Sequence, residues 1–337
     1  SHRNVFESAS NYLMESFGSE GGVYLACVPY FHVACVPHIA ALMRGMQVVV
    51  SGFEPRRVVQ LIERHGVTHV AMVPTMVSMV LDVLDAEEYD ISSIRRVLYA
   101  ASPMPEPTLR RGIARFGPVF EQFYGLTETA GLVTILRPGE HDVDQPGRLG
   151  SCGREVNRVD VMLVDGAGVP VEDGQPGEIV VRGANVMRGY WGQPEATADA
   201  HFGEWFRTGD AAVRGSDGFL TIVGRLKDMI ISGGSNVYPV EVEKVLEDHP
   251  SIREVAVVGV PHEVWGESVV AMVVGSEHVE LDELRTWCRD RLADYKHPRR
   301  VCQVDALPRN ALGKVDKQAL REWAIASPPP GSGSTDA

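Results

Sequence analysis

From residue 23 to residue 85, apolar runs of strand length alternate with stretches whose apolar positions recur at helical spacing. Residues 23–28 (VYLACV), 46–52 (MQVVVSG) and 68–74 (THVAMVP) are short, nearly continuous apolar blocks, as expected of strands covered on both faces. Between them, residues 38–45 (HIAALMRG), 56–66 (RRVVQLIERHG) and 75–84 (TMVSMVLDVL) predict helices. The alternation continues through 94–100 (IRRVLYA), 107–117 (PTLRRGIARFG) and 118–125 (PVFEQFYG), so the pattern predicts α/β layering, parallel strands with covering helices. Ligands on such sheets bind beyond the C-terminal ends of the strands, and residues 100–105 and 124–128 both fall at that edge.

After Gly147 the texture changes. Residues 160–165 (DVMLVD), a Gly-rich turn at 165–168, 169–172 (VPVE), 177–183 (GEIVVRG) and a last strand at 219–223 predict an antiparallel β subdomain over about 147–227, within a large N-terminal domain of 1–227. Residues 242–249, 254–260, 268–274, 283–295 and 317–325 then predict a small, mobile α+β domain over 228–326. The stretch Gly224 to Glu243 joins the two. It holds the charged Arg225-Leu226-Lys227-Asp228, an apolar strand from Met229, a Gly233-Gly234 turn, and Pro239 with Glu241 and Glu243 opening a helix. Pro costs no hydrogen bond in a first turn, and carboxylates complement the helix dipole there. The Pro/Gly/Ser-rich residues 327–337 are expected to be disordered.

The length of 337 residues fits two or more domains, and 44% hydrophobic residues suffice for their cores. A net charge of −13 argues against nucleic-acid or anionic-membrane partners, which call for a basic face, but leaves a local nucleotide site open. The cysteines at 27, 35, 152, 288 and 302 have no CxxC spacing, so neither a disulfide framework nor a zinc knuckle is expected, and a reducing cytoplasm fits. Residues 70–84, the longest apolar region, are interrupted by Pro74, Thr75, Ser78 and Asp82. That falls short of the ~20 apolar residues of a membrane helix. Residues 1–9 lack the pattern of a signal peptide. His65 and His69 are four apart, but Gly66, Val67 and Thr68 break any helix between them, so they read as structural rather than metal-binding.

The chemistry gathers in a few places. Tyr124-Gly125-Leu126-Thr127-Glu128 combines an aromatic face, a glycine, a hydroxyl suited to phosphate and a carboxylate suited to Mg²⁺. Asp210 in Arg207-Thr208-Gly209-Asp210 can accept both hydroxyls of a ribose. Lys314 ends Asn310-Ala311-Leu312-Gly313-Lys314, a loop loosened by glycine. Taken singly, several of these read otherwise: Arg225 to Asp228 as a solvated turn, Lys314 as a surface lysine, His32 as a structural histidine. Val73, Met76, Met79, Gly131 and Leu132 suit a hydrophobic pocket or a plain core equally.

YGLTE at 124–128, RTGD at 207–210, the joint at 224–243 and PRNALGK at 308–314 stand in the order found in the adenylate-forming superfamily of acyl-CoA synthetases, luciferases and peptide-synthetase adenylation domains. The chain resembles that superfamily from about Ser1 to Trp323. The resemblance implies ATP, Mg²⁺ and coenzyme A as cofactors, with a carboxylic acid as substrate. It implies that Tyr124 and Gly125, together with the loop Ala100, Ala101, Ser102 and Pro103, border the adenine. Ala100 stands there where Gly is usual, and Ser102 where Ala is. By the same resemblance Thr127 meets the α-phosphate, Glu128 the metal, Asp210 the ribose, and Arg225 the ribose or phosphate. Asp228 is the implied hinge, Gly233 and Gly234 line a channel for coenzyme A, and Lys314 is the catalytic lysine. His32 lies beside the substrate carboxylate, where amino-acid-activating relatives carry Asp, which points to a fatty or other acyl acid. The superfamily's Ser/Thr/Gly-rich phosphate loop is expected just upstream of a segment like Ser1-His2-Arg3-Asn4 and is not found. The chain therefore reads as the last two-thirds of an ATP-dependent acyl-CoA ligase acting through an acyl-adenylate, inactive as it stands. The alternatives are a stand-alone adenylation enzyme that loads a carrier protein, and a noncatalytic fragment.

Overall fold

The structure, a computed structural model, describes residues 1–17, 21–30, 35–145, 147–275, 277–310 and 314–327. The chain divides into two compact units, one made of Ser1–Thr208 and Ala212–Ile222, the other of Gly209–Ala211 and the chain from Val223.

The large unit opens with α1 (His2–Glu15), β1 (Val23–Ala26), α2 (Val36–Met43), β2 (Gln47–Val50), α3 (Pro55–His65) and β3 (His69–Met72). It continues with α4 (Pro74–Ala86), β4 (Arg96–Tyr99), α5 (Glu106–Phe116), β5 (Phe120–Tyr124), β6 (Thr134–Leu136) and β7 (Arg154–Glu155). These strands form one sheet in the order β2-β1-β3-β4-β5-β6-β7, parallel from β2 to β5 and antiparallel beyond. Alternate residues feed two cores: Tyr24, Ala26, Ala71, Leu98 and Phe123 pack on one face, and Leu25, Cys27, Val70, Met72, Val97 and Phe120 on the other. Strands covered on both faces need apolar residues at every position, which is why these segments read as continuous runs. Local signals set the helix ends. Glu54 caps α3 by accepting from the backbone N–H of Arg56 at 3.0 Å and Arg57 at 2.6 Å, Pro55 opens the first turn, and Gly66 closes it in the left-handed region at φ 58°.

The antiparallel sheet holds β8 (Val159–Val164), β9 (Pro176–Gly183), β10 (His201–Phe202), β11 (Trp205–Arg214) and β12 (Leu220–Arg225), in the order β10-β11-β9-β8 with β12 on β11; α6 (Pro194–Asp199) lies between β9 and β10. The expected strand over 169–172 is instead a single bridge, Val164 to Pro170, since proline has no N–H to extend a ladder. Gly153 is the closest backbone approach. At φ 81° it lies against β6, where an added Cβ would sit 1.8 Å from the Ile135 carbonyl oxygen.

In the small unit β13 (Ile230–Ser232) and β14 (Ser235–Val237) form a hairpin, followed by α7 (Pro239–Glu247), β15 (Glu254–His262), β16 (Gly266–Val274), α8 (Leu281–Cys288), β17 (Arg300–Gln303) and α9 (Lys317–Ala326). The hairpin turn is Gly233-Gly234 at φ 60° and 79°, the both-positive geometry that glycine supplies without strain. α8 is shorter than the pattern over 283–295 predicts, ending at Cys288. Among the described residues, no helix is long and apolar enough to cross a membrane.

Candidate active site

Strands β4 and β5 are parallel neighbours, so the loops that leave their C-terminal ends, 100–105 and 124–132, emerge side by side at the edge where α/β sheets bind ligands. In the first loop Ala101 takes φ 78°, which a residue with a Cβ seldom adopts. Ser102 and Pro103 are exposed beside it.

The second loop is a tight turn with many fastenings. The Thr129 hydroxyl accepts from Leu126 N–H and donates to Leu126 O, both at 3.0 Å, while Gly131 N–H donates to Leu126 O at 2.9 Å. Gly125 is required by space, because a Cβ there would lie 2.4 Å from the Gly131 oxygen. The remaining bonds come from far along the chain. Ser8 Oγ donates to Ala130 O at 2.8 Å, and Asn185 Nδ2, buried, donates to Thr129 O at 3.0 Å and to Leu132 O at 2.9 Å. Met187 N–H donates to Glu128 O at 2.7 Å, and the Tyr190 hydroxyl donates to Glu128 Oε1 at 3.0 Å. Burial, then the bond to Glu128, raises the Tyr190 phenol above its usual range. Ser8, Asn185 and Tyr190 escape a reading of the sequence because their partners lie 122, 56 and 62 residues away, and no local periodicity encodes such a pairing.

Thr127 is thereby exposed and Glu128 half-buried at the sheet edge, whereas Tyr124 packs into the core with 8% of its surface exposed. The donors gathered here are oxygens, and among the described residues no three His, Cys, Asp or Glu side chains converge. That set fits a magnesium ion that arrives on phosphates and keeps its waters, not a cation caged by protein alone.

Asp210 lies in the small unit, 5% exposed, with its Oδ1 3.1 Å from Arg225 Nε. Desolvation and the Arg225 guanidinium lower the Lys314 ammonium below its ordinary range, against the opposing pull of Asp210, so three predicted site residues share one electrostatic neighbourhood. Lys314 is turned back on Asn310, with Asn310 N–H donating to Lys314 O at 2.8 Å and Lys314 N–H donating to Asn310 Oδ1 at 3.1 Å. Arg207 and Thr208 of the same motif serve structure: Arg207 pairs with Glu178 at 2.6 Å and the Thr208 hydroxyl donates to Ile179 O at 2.8 Å. Asp228 ends a 3₁₀ turn between β12 and β13. Gly233 packs so closely on Trp265 that a Cβ would meet the indole at 2.9 Å. His32 and residues 311–313 lie outside the described residues.

The residues suited to an acyl pocket fall in more than one packing cluster. Leu132 belongs to one core of the sheet, Met76 and Val73 to the other, and Met79 is 48% exposed.

Residues 1–191 match the sequence profile of the AMP-binding enzymes, and residues 241–314 that of the AMP-binding enzyme C-terminal domain. A medium/long-chain-fatty-acid–CoA ligase of Mycobacterium tuberculosis is 39% identical over 308 residues, 88% of this chain and 53% of the relative. An amide bond synthetase from Marinactinospora thermotolerans superposes with a TM-score of 0.89 at 34% identity, over 96% of this chain and 65% of that one. The o-succinylbenzoate coenzyme A synthetase of Bacillus subtilis, solved with ATP and magnesium ion, gives a TM-score of 0.83 at 32% identity, over 94% and 65%. The chain thus spans only about half to two-thirds of the length of these proteins.

Proposed function

The chain belongs to the family of AMP-binding enzymes, and on that premise we propose that it is the nucleotide-handling part of an ATP-dependent acid–thiol ligase. The observation that carries this reading is the turn at 126–131, which holds Thr127 and Glu128 at the C-terminal edge of a parallel sheet beside the 100–105 loop. In the first half-reaction a carboxylate oxygen of the substrate attacks the α-phosphorus of ATP. The bond to the bridging oxygen breaks, and pyrophosphate leaves with the electron pair. Thr127 donates to the α-phosphate, Asp210 accepts from the ribose hydroxyls, and the Lys314 ammonium meets the charge that grows on the phosphoryl oxygens. Glu128 would hold magnesium, which neutralises phosphate charge when bound. Tyr124 and residues 100–103 border the adenine, and Arg225 serves the ribose or phosphate. In the second half-reaction the sulfur of coenzyme A bonds to the acyl carbon, and AMP leaves as the thiol gives up its proton. For this step Asp228 acts as the hinge of the small unit, and Gly233 and Gly234 border the thiol's path. The acyl group is a fatty or other carboxylic acid.

Likeness to an amide bond synthetase favours a second reading, in which an amine rather than a thiol takes the acyl group. Offering coenzyme A, a carrier-protein thiol and amines in competition separates the acceptors.

The first half-reaction is tested by binding. A non-hydrolysable acyl-adenylate analogue at a hundredfold excess over its Kd should stabilise the 337-residue chain by about 2.7 kcal/mol and raise its melting midpoint by several degrees. Asp210→Ala should abolish that protection. No protection of the unsubstituted chain by any acyl-adenylate overturns the reading.

A further inference from the structure

Glu128 is gripped at its backbone and at its side chain by one segment of distant chain. Met187 N–H donates to its carbonyl oxygen at 2.7 Å, and Tyr190 Oη donates to its Oε1 at 3.0 Å. The segment is itself anchored. Asn185 ties its start to Thr129 O and Leu132 O, and Asn4 Nδ2 donates to Ala184 O at 2.8 Å and Val186 O at 2.7 Å. Tyr190 N–H donates to Thr197 Oγ1 at 2.9 Å, and the Thr197 hydroxyl in turn donates to Gln193 O at 2.8 Å. Gly189, at φ 146°, lets the chain lie so close to Thr197 that a Cβ would stand 2.5 Å from its methyl.

We propose that Tyr190 is a positioning residue for the metal–phosphate site: its hydroxyl holds one carboxylate oxygen of Glu128 and so orients the group for the magnesium ion of a bound nucleotide. The proposal rests on the reading of Glu128 given above. A glutamate on a loop loses rotamer freedom when a ligand orders it, and a standing hydrogen bond removes part of that cost before the ligand arrives. Metal-binding carboxylates are in turn hydrogen-bonded by an outer shell of donors, and Tyr190 is such a donor. Tyr190 is 36% exposed, so the core does not call for a tyrosine here, whereas the hydroxyl has a definite partner in the carboxylate. Because Met187 and Tyr190 lie three residues apart on one anchored segment, backbone and carboxylate of Glu128 are held in one frame.

The test compares ATP affinity of the 337-residue chain in saturating Mg²⁺ with its affinity in EDTA, for the unsubstituted protein, Tyr190→Phe and Glu128→Gln. The ratio of the two affinities reads the coupling between metal and nucleotide. Glu128→Gln should bring it close to one, and Tyr190→Phe should lower it about tenfold, the usual scale for loss of an outer-shell partner. Affinity in EDTA and the ligand-free melting midpoint should stay unchanged in Tyr190→Phe. An unchanged ratio in Tyr190→Phe, with Glu128→Gln still collapsing it, overturns the role of Tyr190 and leaves that of Glu128 standing. Equal weakening with and without Mg²⁺ shows a structural role only and also overturns the proposal. A ratio insensitive to Glu128→Gln overturns the reading of Glu128 and, with it, this inference.

Discussion

Two loops carry the predicted phosphate chemistry, and they are held in opposite ways. The turn around Thr127 and Glu128 is fixed from outside by residues 8, 185, 187 and 190: buried Ser8 and Asn185 and the backbone of Met187 donate to backbone carbonyls, and Tyr190 to the Glu128 carboxylate. Lys314 is held mostly by its neighbours, through the reciprocal bonds with Asn310 and a bridge between Arg309 and Val315. The longer-range support near it is ionic: Arg309 to Glu254 and Lys317 to Glu243, each at 2.6 Å. The Arg309 pair is between exposed side chains, and such pairs contribute under about 1 kcal/mol. The first loop exists only when the large unit has folded. The described fastenings of the second are mostly local.

If that contrast is right, damage to the first loop should reach global stability and damage to the second should not. The largest effect is expected from Gly125→Ala, whose Cβ would collide with backbone at 2.4 Å. It should cost about 4 kcal/mol in urea unfolding and abolish nucleotide binding. Asn185→Leu should cost about 3 kcal/mol, since two buried carbonyls lose their donor and are not resolvated. A loss under about 1 kcal/mol would show that the loop is held by its own turn after all.

Buried titratable side chains at the opposite edge of the same sheet sharpen the contrast through pH. Glu121 is 1% exposed, and burial pushes its carboxyl up to about 7, outweighing the Arg96 guanidinium 3.4 Å away and lesser pulls from Ser16 and Arg137. His69 is pushed down to about 4, first by burial and then by Arg96 and Arg95. With an unfolded pKa near 4.5, Glu121 contributes stability that is full below that value and is lost as pH rises to about 7. His69 does the reverse: its contribution is full above about 6.5 and is lost as pH falls to about 4. Each is worth about 3 kcal/mol, so between pH 4.5 and 6.5 the two slopes offset each other. Glu121→Gln should unmask the histidine: stability then falls by about 3 kcal/mol from pH 6.5 to 4, read from urea midpoints at each pH. A flat profile in that variant would mean that His69 titrates normally. The smallest effect is expected from Asn310→Ala, about 1 kcal/mol confined to its turn, seen as faster amide exchange at Lys314 with the global midpoint unchanged.

The same distinction between local and distant partners sets what the sequence discloses. Strands β1, β3 and β4, the capped helix α3 and the Gly233-Gly234 turn are legible because each is specified by its own residues. Helix α1 is not legible, for its inward face mixes the apolar Ala9 and Tyr12 with buried Asn4, Ser8 and Asn11, and Asn4 and Ser8 hold the backbone of other segments. Thr127 and Glu128 can be named from their motif, but Asn185 and Tyr190, which hold the turn, cannot, because nothing near positions 185 or 190 announces a partner near 128.

For laboratory evolution, the approach of Gly153 to the Ile135 oxygen divides the chain into positions worth randomising and positions best left alone. At 1.8 Å and φ 81°, every L-amino acid at 153 must prise β6 aside, so clones altered there are discarded before selection can judge their chemistry. Ser102 and Pro103, exposed at the ligand edge, impose no such screen. A library drawn on those two codons, with Gly125 and Gly153 fixed, avoids these backbone collisions and puts its diversity in the loop proposed to border the adenine.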